Sequence, residues 1–194
     1  MTDIEQHPLQ PFLPIGAKLL MLGSFPPPKP RWCMDFFYPN PQNDMWRIMG
    51  LLFYGDKLHF VDEQNKFRYG AIVSFCEEMG IALFDTAQAV RRLKGNASDN
   101  FLEVVEPTNI ADLLRQLPDC HNLCCTGQKS AETLAQQCGC QLPYIGDYVE
   151  GHIAGRPLRL WRMPSSSRAY PLSLEKKAAA YGKMMQTIGL LTTK

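Results

Sequence analysis

A long, proline-punctuated loop of this sequence holds residue types that can bind a flat, polar ligand. It runs from residue 24 to about residue 43 and contains six prolines, which stiffen the chain. The rings of Phe37 and Tyr38 offer flat faces for stacking, and the Asn43 amide can donate and accept hydrogen bonds at once. Loops of this length inside a compact domain are usually functional, so we expect a ligand site here.

Asn43 also has a purely structural interpretation. An apolar segment at residues 45–53 predicts a helix, so Asn43 or Asp44 stands where the N-cap of that helix belongs. Trp46 and Phe53 fall on one face of the same helix, which makes the nearby aromatic residues equally suited to the core. Spacing alone leaves both roles of Asn43 open, capping being the commoner one.

A second polar loop, Met163-Pro-Ser-Ser-Ser-Arg-Ala-Tyr170, suits contacts with phosphate groups. Its three hydroxyls, its backbone N–H groups and the cation Arg168 are donors that proteins use on a phosphate backbone. A solvated, serine-rich turn is the alternative interpretation. The pattern does not indicate a serine hydrolase, because no histidine stands in a motif relation to these serines and Gly-x-Ser-x-Gly is absent.

Charged residues elsewhere in the sequence predict a local basic surface and a carboxylate with a structural role. The segment Arg91-Arg-Leu-Lys94 can form such a surface together with Lys29, Arg31 and Lys129, although a solvated charged face is equally compatible with these residues. Asp85 directly follows an apolar strand pattern. We interpret it as a buried, hydrogen-bonding carboxylate and not as a catalyst.

Seven cysteines, an odd number, stand at positions 33, 76, 120, 124, 125, 138 and 140. The cluster between residues 120 and 140 contains no Cys-x-x-Cys. Cys124 and Cys125 fall in a strand pattern, where adjacent side chains point to opposite faces. We therefore expect reduced core thiols, which behave as small hydrophobic groups, and no metal site.

Four short apolar runs predict buried strands at residues 18–22, 81–84, 122–126 and 158–163. Helical patterns lie between them, at residues 45–53, 72–79, 110–117 and 129–138, and a last helix over residues 174–188 has Ser173 as its N-cap. Strands that alternate with helices form a parallel sheet covered on both faces. We therefore predict an α/β fold: a three-layer α/β/α sandwich around a central, mostly parallel four-stranded sheet.

Polar loops follow all four predicted strands, at residues 23–28, 85–86, 126–128 and 164–170. The carboxyl ends of parallel strands share one edge of the sheet, and ligands bind at that edge. We therefore expect these loops to meet at a single site.

Length and composition bound the remaining possibilities. The 194 residues fit one domain over 1–194, which opens on an extended, proline-punctuated arm at residues 1–16. A net charge of +1 excludes a uniformly basic nucleic-acid coat but permits a local basic groove. The sequence has no signal-peptide pattern and no apolar run long enough to cross a bilayer, so we expect a cytoplasmic protein that acts as a monomer.

Taken in order, these segments resemble the uracil-DNA glycosylase superfamily. Gly23-Ser-Phe-Pro26 is similar to its first motif, a Gly-x-x-Pro loop after the first strand. Tyr38-Pro-Asn-Pro-Gln-Asn43-Asp-Met-Trp46 is similar to a pattern of the mismatch-specific and hypoxanthine-acting branches. Thr126-Gly-Gln-Lys129 resembles the strand end that reads the base, and Met163-Pro-Ser-Ser-Ser167 resembles the second motif. The resemblance covers residues 17–185.

Two positions depart from the pattern of this superfamily. Several branches place Asp or Asn, which orients the attacking water, where this chain has Phe25, and the second motif here contains no histidine. The hypoxanthine-acting branch also lacks the polar residue of the first motif. Resemblance to that branch implies that Asn43 is the principal catalytic position.

The resemblance implies a role for each residue singled out. The catalytic residues are Asn43, Ser24 and Phe25, the last two through their backbone N–H groups. The residues that bind the base are Tyr38, Thr126 and Phe37. The residues that contact DNA, Arg168 among them to fill the gap left by the flipped base, are Ser165, Ser166, Ser167, Arg168, Tyr170 and Lys129.

The implied activity is that of a monofunctional DNA glycosylase. Such an enzyme flips a deaminated base, uracil or hypoxanthine, out of DNA and hydrolyses its N-glycosidic bond, with neither a metal nor an organic cofactor. Its partner is DNA that contains a damaged or mismatched base. The alternative is a non-catalytic DNA- or nucleotide-binding protein on a degenerate glycosylase fold, which Phe25 favours.

Overall fold

The computed structural model describes residues 3–93 and 101–192. Its helices and strands, in chain order, are β1 (Ile4–Gln6), β2 (Leu19–Gly23), α1 (Met45–Tyr54), α2 (Tyr69–Met79), β3 (Ile81–Asp85), β4 (Ala87–Arg92), β5 (Leu102–Pro107), α3 (Ile110–Gln116), β6 (Asn122–Cys125), α4 (Gln128–Cys138), β7 (Asp147–Ile153), β8 (Arg156–Arg162) and α5 (Leu174–Thr187).

A five-stranded sheet in the order β3-β2-β6-β8-β7 forms the centre of the fold. The four predicted apolar runs are its four parallel strands, since β2 pairs in parallel with β3 and β6, and β6 pairs in parallel with β8. Every residue of β2 and β3 is buried, as expected for strands covered on both faces. The predicted α/β class and the mostly parallel sheet are confirmed.

The sheet has five strands where the sequence predicted four. The additional strand, β7, lies at the edge and pairs with β8 in antiparallel register from Asp147↔Arg162 to Ile153↔Arg156. Ala154 and Gly155 form the tight turn between them, both with positive φ. Most residues of β7 are exposed or half-buried, so this edge strand shows no continuous apolar run from which to predict it.

Helices cover both faces of the sheet. The connection from β2 to β3 runs towards one side of the sheet, and the connections from β3 to β6 and from β6 to β8 run towards the other. Because such crossovers are right-handed, α1 and α2 lie on one face, and α3 and α4 lie on the opposite face. Helix α5 packs against α1, and the result is the predicted three-layer sandwich. Within the described residues, no helix is both long and apolar enough to cross a membrane.

A second, antiparallel sheet with the order β1-β4-β5 has no counterpart in the sequence prediction. It involves the N-terminal arm, which is extended as predicted but is tightly bound to the domain. Strand β1 pairs with β4, and Phe12 exchanges two backbone hydrogen bonds of 3.0 and 2.9 Å with Leu83. The arm therefore covers the otherwise open edge of β3.

The cysteines lie mainly in the core, as predicted. Cys76, Cys120, Cys124, Cys125 and Cys138 are buried, and all seven are free thiols. Burial raises the pKa of Cys120 to about 11 and that of Cys138 to about 12, so both stay protonated at neutral pH. The described part of the chain contains no group of three or more His, Cys, Asp or Glu side chains placed to hold a metal ion.

Candidate functional site

A cavity of about 1140 Å³ opens at the carboxyl ends of the parallel strands. The loops that follow β2, β6 and β8 border it together with Asp85, the last residue of β3, so these strand ends converge. Every residue that the sequence analysis assigned to the site lies on this cavity. These residues are Ser24, Phe25, Phe37, Tyr38, Asn43, Thr126, Lys129, Ser165, Ser166, Ser167, Arg168 and Tyr170.

Three neighbouring strand ends build the floor of the cavity. Gly23 of β2 stands in register with Asp85 of β3, and Thr126 directly follows β6 on the other side. A Cβ atom on Gly23 would lie 2.3 Å from Asp85 Oδ1 and 3.9 Å from Thr126 Oγ1. Only glycine therefore allows the carboxylate to approach the backbone this closely.

Tyr38 connects the long loop to this floor. Its backbone adopts the left-handed conformation, with φ of 51°, and its hydroxyl lies 3.2 Å from Thr126 Oγ1. Burial raises the pKa of Tyr38 well above its usual value, so the phenol stays protonated and keeps its hydrogen-bonding proton. The residue is only half-buried, which leaves part of its surface open to the cavity.

The two phenylalanines predicted for the site are packed into the protein to different degrees. Phe37 is 3% exposed, with its ring 5.3 Å from that of Phe36 and 6.1 Å from that of Phe84. Phe25 is half-buried, and the Arg92 guanidinium lies 5.6 Å from its ring centre. Phe37 therefore supports the wall from behind, and its ring has little exposed surface with which to stack on a ligand.

Asn43 lies one residue before Asp44, which is the N-cap of α1, and its role in catalysis stays a prediction. Its Oδ1 accepts a hydrogen bond of 2.9 Å from the backbone N–H of Met45, the first residue of α1, so it satisfies one of the free N–H groups at that helix end. It also borders the cavity. Asn43 pairs with Ser167 in an isolated antiparallel bridge, which joins the long loop to the serine-rich loop.

A buried charge cluster fixes the serine-rich loop. The Asp44 carboxylate pairs with Arg168 Nε at 2.9 Å and with Lys177 Nζ at 3.3 Å, and the same Nζ donates to the carbonyl of Ser167 at 2.8 Å. Lys177 is 1% exposed. The backbone N–H of Asp44 also donates to the carbonyl of Ser166. The loop is therefore held between α1 and α5.

This arrangement limits which loop residues can reach a ligand. Ser166 is 2% exposed although it borders the cavity, so it is less accessible than Ser165 and Ser167, which are half-buried. The side chain of Arg168 is 42% exposed, which leaves the outer part of its guanidinium accessible while Nε is held by Asp44.

Cations line the rim of the cavity. Arg31, Lys129, Arg162 and Arg168 all border it. Of the other cations grouped with them, Lys29 pairs with Asp35 at 2.5 Å, Arg91 with Glu103 and Arg92 with Glu5, and none of these three borders the cavity. Lys94 lies outside the described residues. Helix α4 begins at the same rim with Gly127 as its N-cap, and a helix N-terminus favours anions. The rim is therefore suited to a polyanion.

Sequence reasoning missed two residues at or next to this site, Arg162 and His7. Arg162 is the last residue of β8 and has no motif to mark it. Asp85, which we interpreted as a buried, hydrogen-bonding carboxylate, is buried and also borders the cavity. His7 reaches this carboxylate from the arm, with Nε2 2.9 Å from Asp85 Oδ2, and a single histidine in a proline-rich arm carries no signal for such a contact.

Comparison with solved structures shows that this fold occurs elsewhere. The chain is similar to a protein from Methanosarcina acetivorans, solved by NMR in solution and described as a candidate uracil DNA glycosylase. The TM-score is 0.64 at 20% sequence identity, and the match covers 96% of this chain and 99% of the other. No protein-family model and no curated protein matches the sequence. The two proteins share an α/β fold over nearly their whole lengths.

Proposed function

We propose that this protein is a DNA glycosylase that hydrolyses the N-glycosidic bond of a deaminated base. The observation that carries the proposal is the cavity itself. It combines a polar floor, a half-buried tyrosine and a cationic rim at the carboxyl edge of the sheet. The structural match to a candidate uracil DNA glycosylase and the ordered sequence motifs support the same conclusion.

The reaction requires a nucleotide to leave the DNA stack. A base inside a duplex is unreachable, so the enzyme flips it into a pocket at a cost of a few kcal/mol. A cavity of about 1140 Å³ has room for a base with its sugar and phosphate. Its open side faces the rim cations, which suits a ligand that enters while still attached to a phosphate backbone.

Cleavage breaks the bond between the sugar carbon and the base nitrogen, and the bonding electrons leave with the base. The sugar becomes oxocarbenium-like, and a water molecule adds to it and releases a proton. The site must therefore hold water and stabilise the departing base. We assign Asn43 to the water or the leaving group, with Asp85 Oδ1 as a carboxylate acceptor for an O–H or N–H of whatever fills the cavity.

Residues of the cavity floor and of the adjoining wall recognise the base. Tyr38 stacks on the base, and the backbone N–H groups of Ser24 and Phe25 contact its edge. The hydroxyl of Thr126 can rotate to donate or accept, so it reads the edge permissively. We therefore propose that both uracil and hypoxanthine are substrates.

Residues at the rim of the cavity contact the phosphates. We assign Ser165, Ser167, Tyr170 and Lys129 to the DNA backbone. Arg168 fills the space that the flipped base leaves, with its guanidinium braced by Asp44. These contacts hold the duplex while the pocket holds the base.

The deciding experiment is a cleavage assay on the full chain. Duplexes that contain uracil, hypoxanthine or mismatched thymine are incubated with excess protein, and abasic sites are revealed by alkaline scission. We expect cleavage of the uracil or the hypoxanthine duplex, and no cleavage of an undamaged duplex of the same sequence. Binding without cleavage would overturn the proposal and favour the non-catalytic DNA-binding alternative that Phe25 suggests.

A further inference from the structure

We propose that His7, in the N-terminal arm, is a positioning residue of this site that acts through Asp85. Its Nε2–H donates a hydrogen bond to Asp85 Oδ2, and this bond keeps Oδ1 directed at the cavity as an acceptor. The inference rests on the proposed function, because its main readout is base excision. It makes the arm a part of the site.

The imidazole of His7 is held in one place. Its side chain is 1% exposed, and its backbone N–H donates to the carbonyl of Gln88 at 2.8 Å. Its ring centre lies 4.5 Å from that of Phe84 and 5.3 Å from that of Phe25, which it meets edge to face. A ring enclosed in this way has little freedom to turn away from its partner.

Hydrogen-bonding rules determine which nitrogen carries the proton. An ionised carboxylate only accepts, so the 2.9 Å contact to Asp85 requires a hydrogen on Nε2 of His7. Nδ1 lies 3.2 Å from the backbone N of Leu9 and 2.9 Å from its carbonyl oxygen. The neutral ring can accept from that N–H, and the charged ring can donate to that carbonyl. Both forms retain the donor towards Asp85.

Asp85 depends on this donor. The residue is 7% exposed, and a buried carboxylate is costly unless it is hydrogen-bonded. The imidazole of His7 donates to its Oδ2 at 2.9 Å. With Oδ2 engaged, Oδ1 lies over Gly23 on the cavity floor, where it can accept a hydrogen bond from an occupant of the cavity.

Phe25 completes the arrangement. Several branches of the superfamily have Asp or Asn at this position, but here the ring of Phe25 packs on His7 and borders the cavity. The Arg92 guanidinium, which lies 5.6 Å from the Phe25 ring, pairs with Glu5 at 2.9 Å. Asp85 at the end of β3 therefore adds a carboxylate to the cavity floor, and the arm supplies its hydrogen-bonding partner.

Two substitutions of His7 separate hydrogen bonding from packing. In His7→Gln the amide N–H can take the place of Nε2–H, whereas His7→Phe keeps an enclosed ring but has no donor. We expect His7→Gln to cleave the preferred duplex within about 5-fold of the unaltered chain, and His7→Phe to be slower by about 30-fold or more in single-turnover rate. If His7 acts only by packing, His7→Phe should cleave faster than His7→Gln.

Asp85→Ala provides the second arm of the test, because Asn at this position would keep an oxygen that accepts from His7. If His7 acts through Asp85, the difference between the two His7 variants disappears in the Asp85→Ala background. Thermal unfolding confirms that each variant is folded, and His7→Met replaces His7→Phe if the latter does not fold. The inference is overturned if the donor-free variant is as active as His7→Gln, or if the difference persists in the Asp85→Ala background.

A readout independent of cleavage distinguishes this inference from the proposed function. If the unaltered chain cleaves none of the duplexes, the proposed function fails. In that case, the contact between His7 and Asp85 is tested by the imidazole ¹⁵N chemical shifts of His7 and by duplex binding. We expect Asp85→Ala to move the Nε2 shift and His7→Phe to weaken binding more than His7→Gln. An unchanged shift, or equal binding, overturns the inference.

Discussion

At the scale of single residues, Asn43 contacts the start of α1 and also borders the cavity. The amide oxygen of Asn43 accepts one hydrogen bond from the N–H of Met45. It has a second lone pair, and the NH₂ group adds two donors. Capping therefore leaves the side chain with hydrogen-bonding capacity for a ligand. The two interpretations of this position are compatible, and only a rate measurement separates their contributions.

We predict that Asn43→Ala lowers the single-turnover rate of base excision by about 100-fold, the usual loss when one transition-state hydrogen bond is removed. The lost cap destabilises the fold by only about 1 kcal/mol. Rates are measured with excess protein, and stability by urea unfolding.

Ser173→Ala is the matched control for Asn43→Ala. Ser173 caps α5 through a hydrogen bond from the N–H of Lys176 at 3.3 Å, and it does not border the cavity. We expect a similar loss of stability with an unchanged rate. Equal rates for the two variants would mean that Asn43 only caps its helix.

At the scale of elements, the serine-rich loop gains its position from two helices. Asp44 at the start of α1 and Lys177 in α5 form a buried ion pair beneath it, and Arg168 of the loop completes the cluster. A buried charge that loses its partner is destabilising, because little water can replace the lost interaction. The conformation of the loop therefore depends on both helices.

We predict that Lys177→Met destabilises the protein by about 2–4 kcal/mol, since Asp44 loses one of its two cations and the Ser167 carbonyl loses a donor. Duplex binding weakens with it, because the loop is less firmly held. Urea unfolding and a binding titration measure the two effects.

Lys176→Met offers the control for this substitution. Lys176 is the neighbouring lysine on α5 but is exposed, so its replacement changes the net charge equally without opening the cluster. We expect its free energy of unfolding to stay within about 0.5 kcal/mol of that of the unaltered chain. If both variants lost the same stability, the buried cluster would not be what holds the loop.

At the scale of the whole molecule, burial of ionisable groups makes stability depend on alkaline pH. Burial raises the pKa values of the Tyr38 and Tyr181 phenols well above their usual range. The unfolded chain ionises its tyrosines near pH 10, while the folded chain keeps these two protonated. Their contribution to stability is therefore fully present below about pH 10 and is lost as the pH rises above it.

We predict that the free energy of unfolding falls steeply above about pH 10, and that Tyr181→Phe makes this fall shallower by up to about 1.4 kcal/mol per pH unit. Tyr181 is 0% exposed and donates to the carbonyl of Pro164 at 3.0 Å. Urea titrations between pH 8 and 11 give the slopes. Tyr144→Phe, at a position that is 88% exposed, should leave the slope unchanged, and a shallower slope there would contradict the prediction.

Local sequence was enough to locate the parallel sheet and the edge where the site lies. Apolar runs that end at glycine, proline or small polar residues mark strands buried on both faces. Parallel strands must place their carboxyl ends on one edge. The meeting of the loops after β2, β6 and β8 beside the end of β3 followed from these two facts.

Tertiary structure alone decided which of these residues face the cavity and what they pair with. Ser166 and Phe37 are buried although their types suit a ligand, and Arg168 is braced by Asp44 from 124 positions away in the chain. The contact between His7 and Asp85 spans 78 positions. Periodicity and turn signals report only neighbours within a few residues. Burial and ion pairing depend on groups brought together by the fold, so no local pattern contains them.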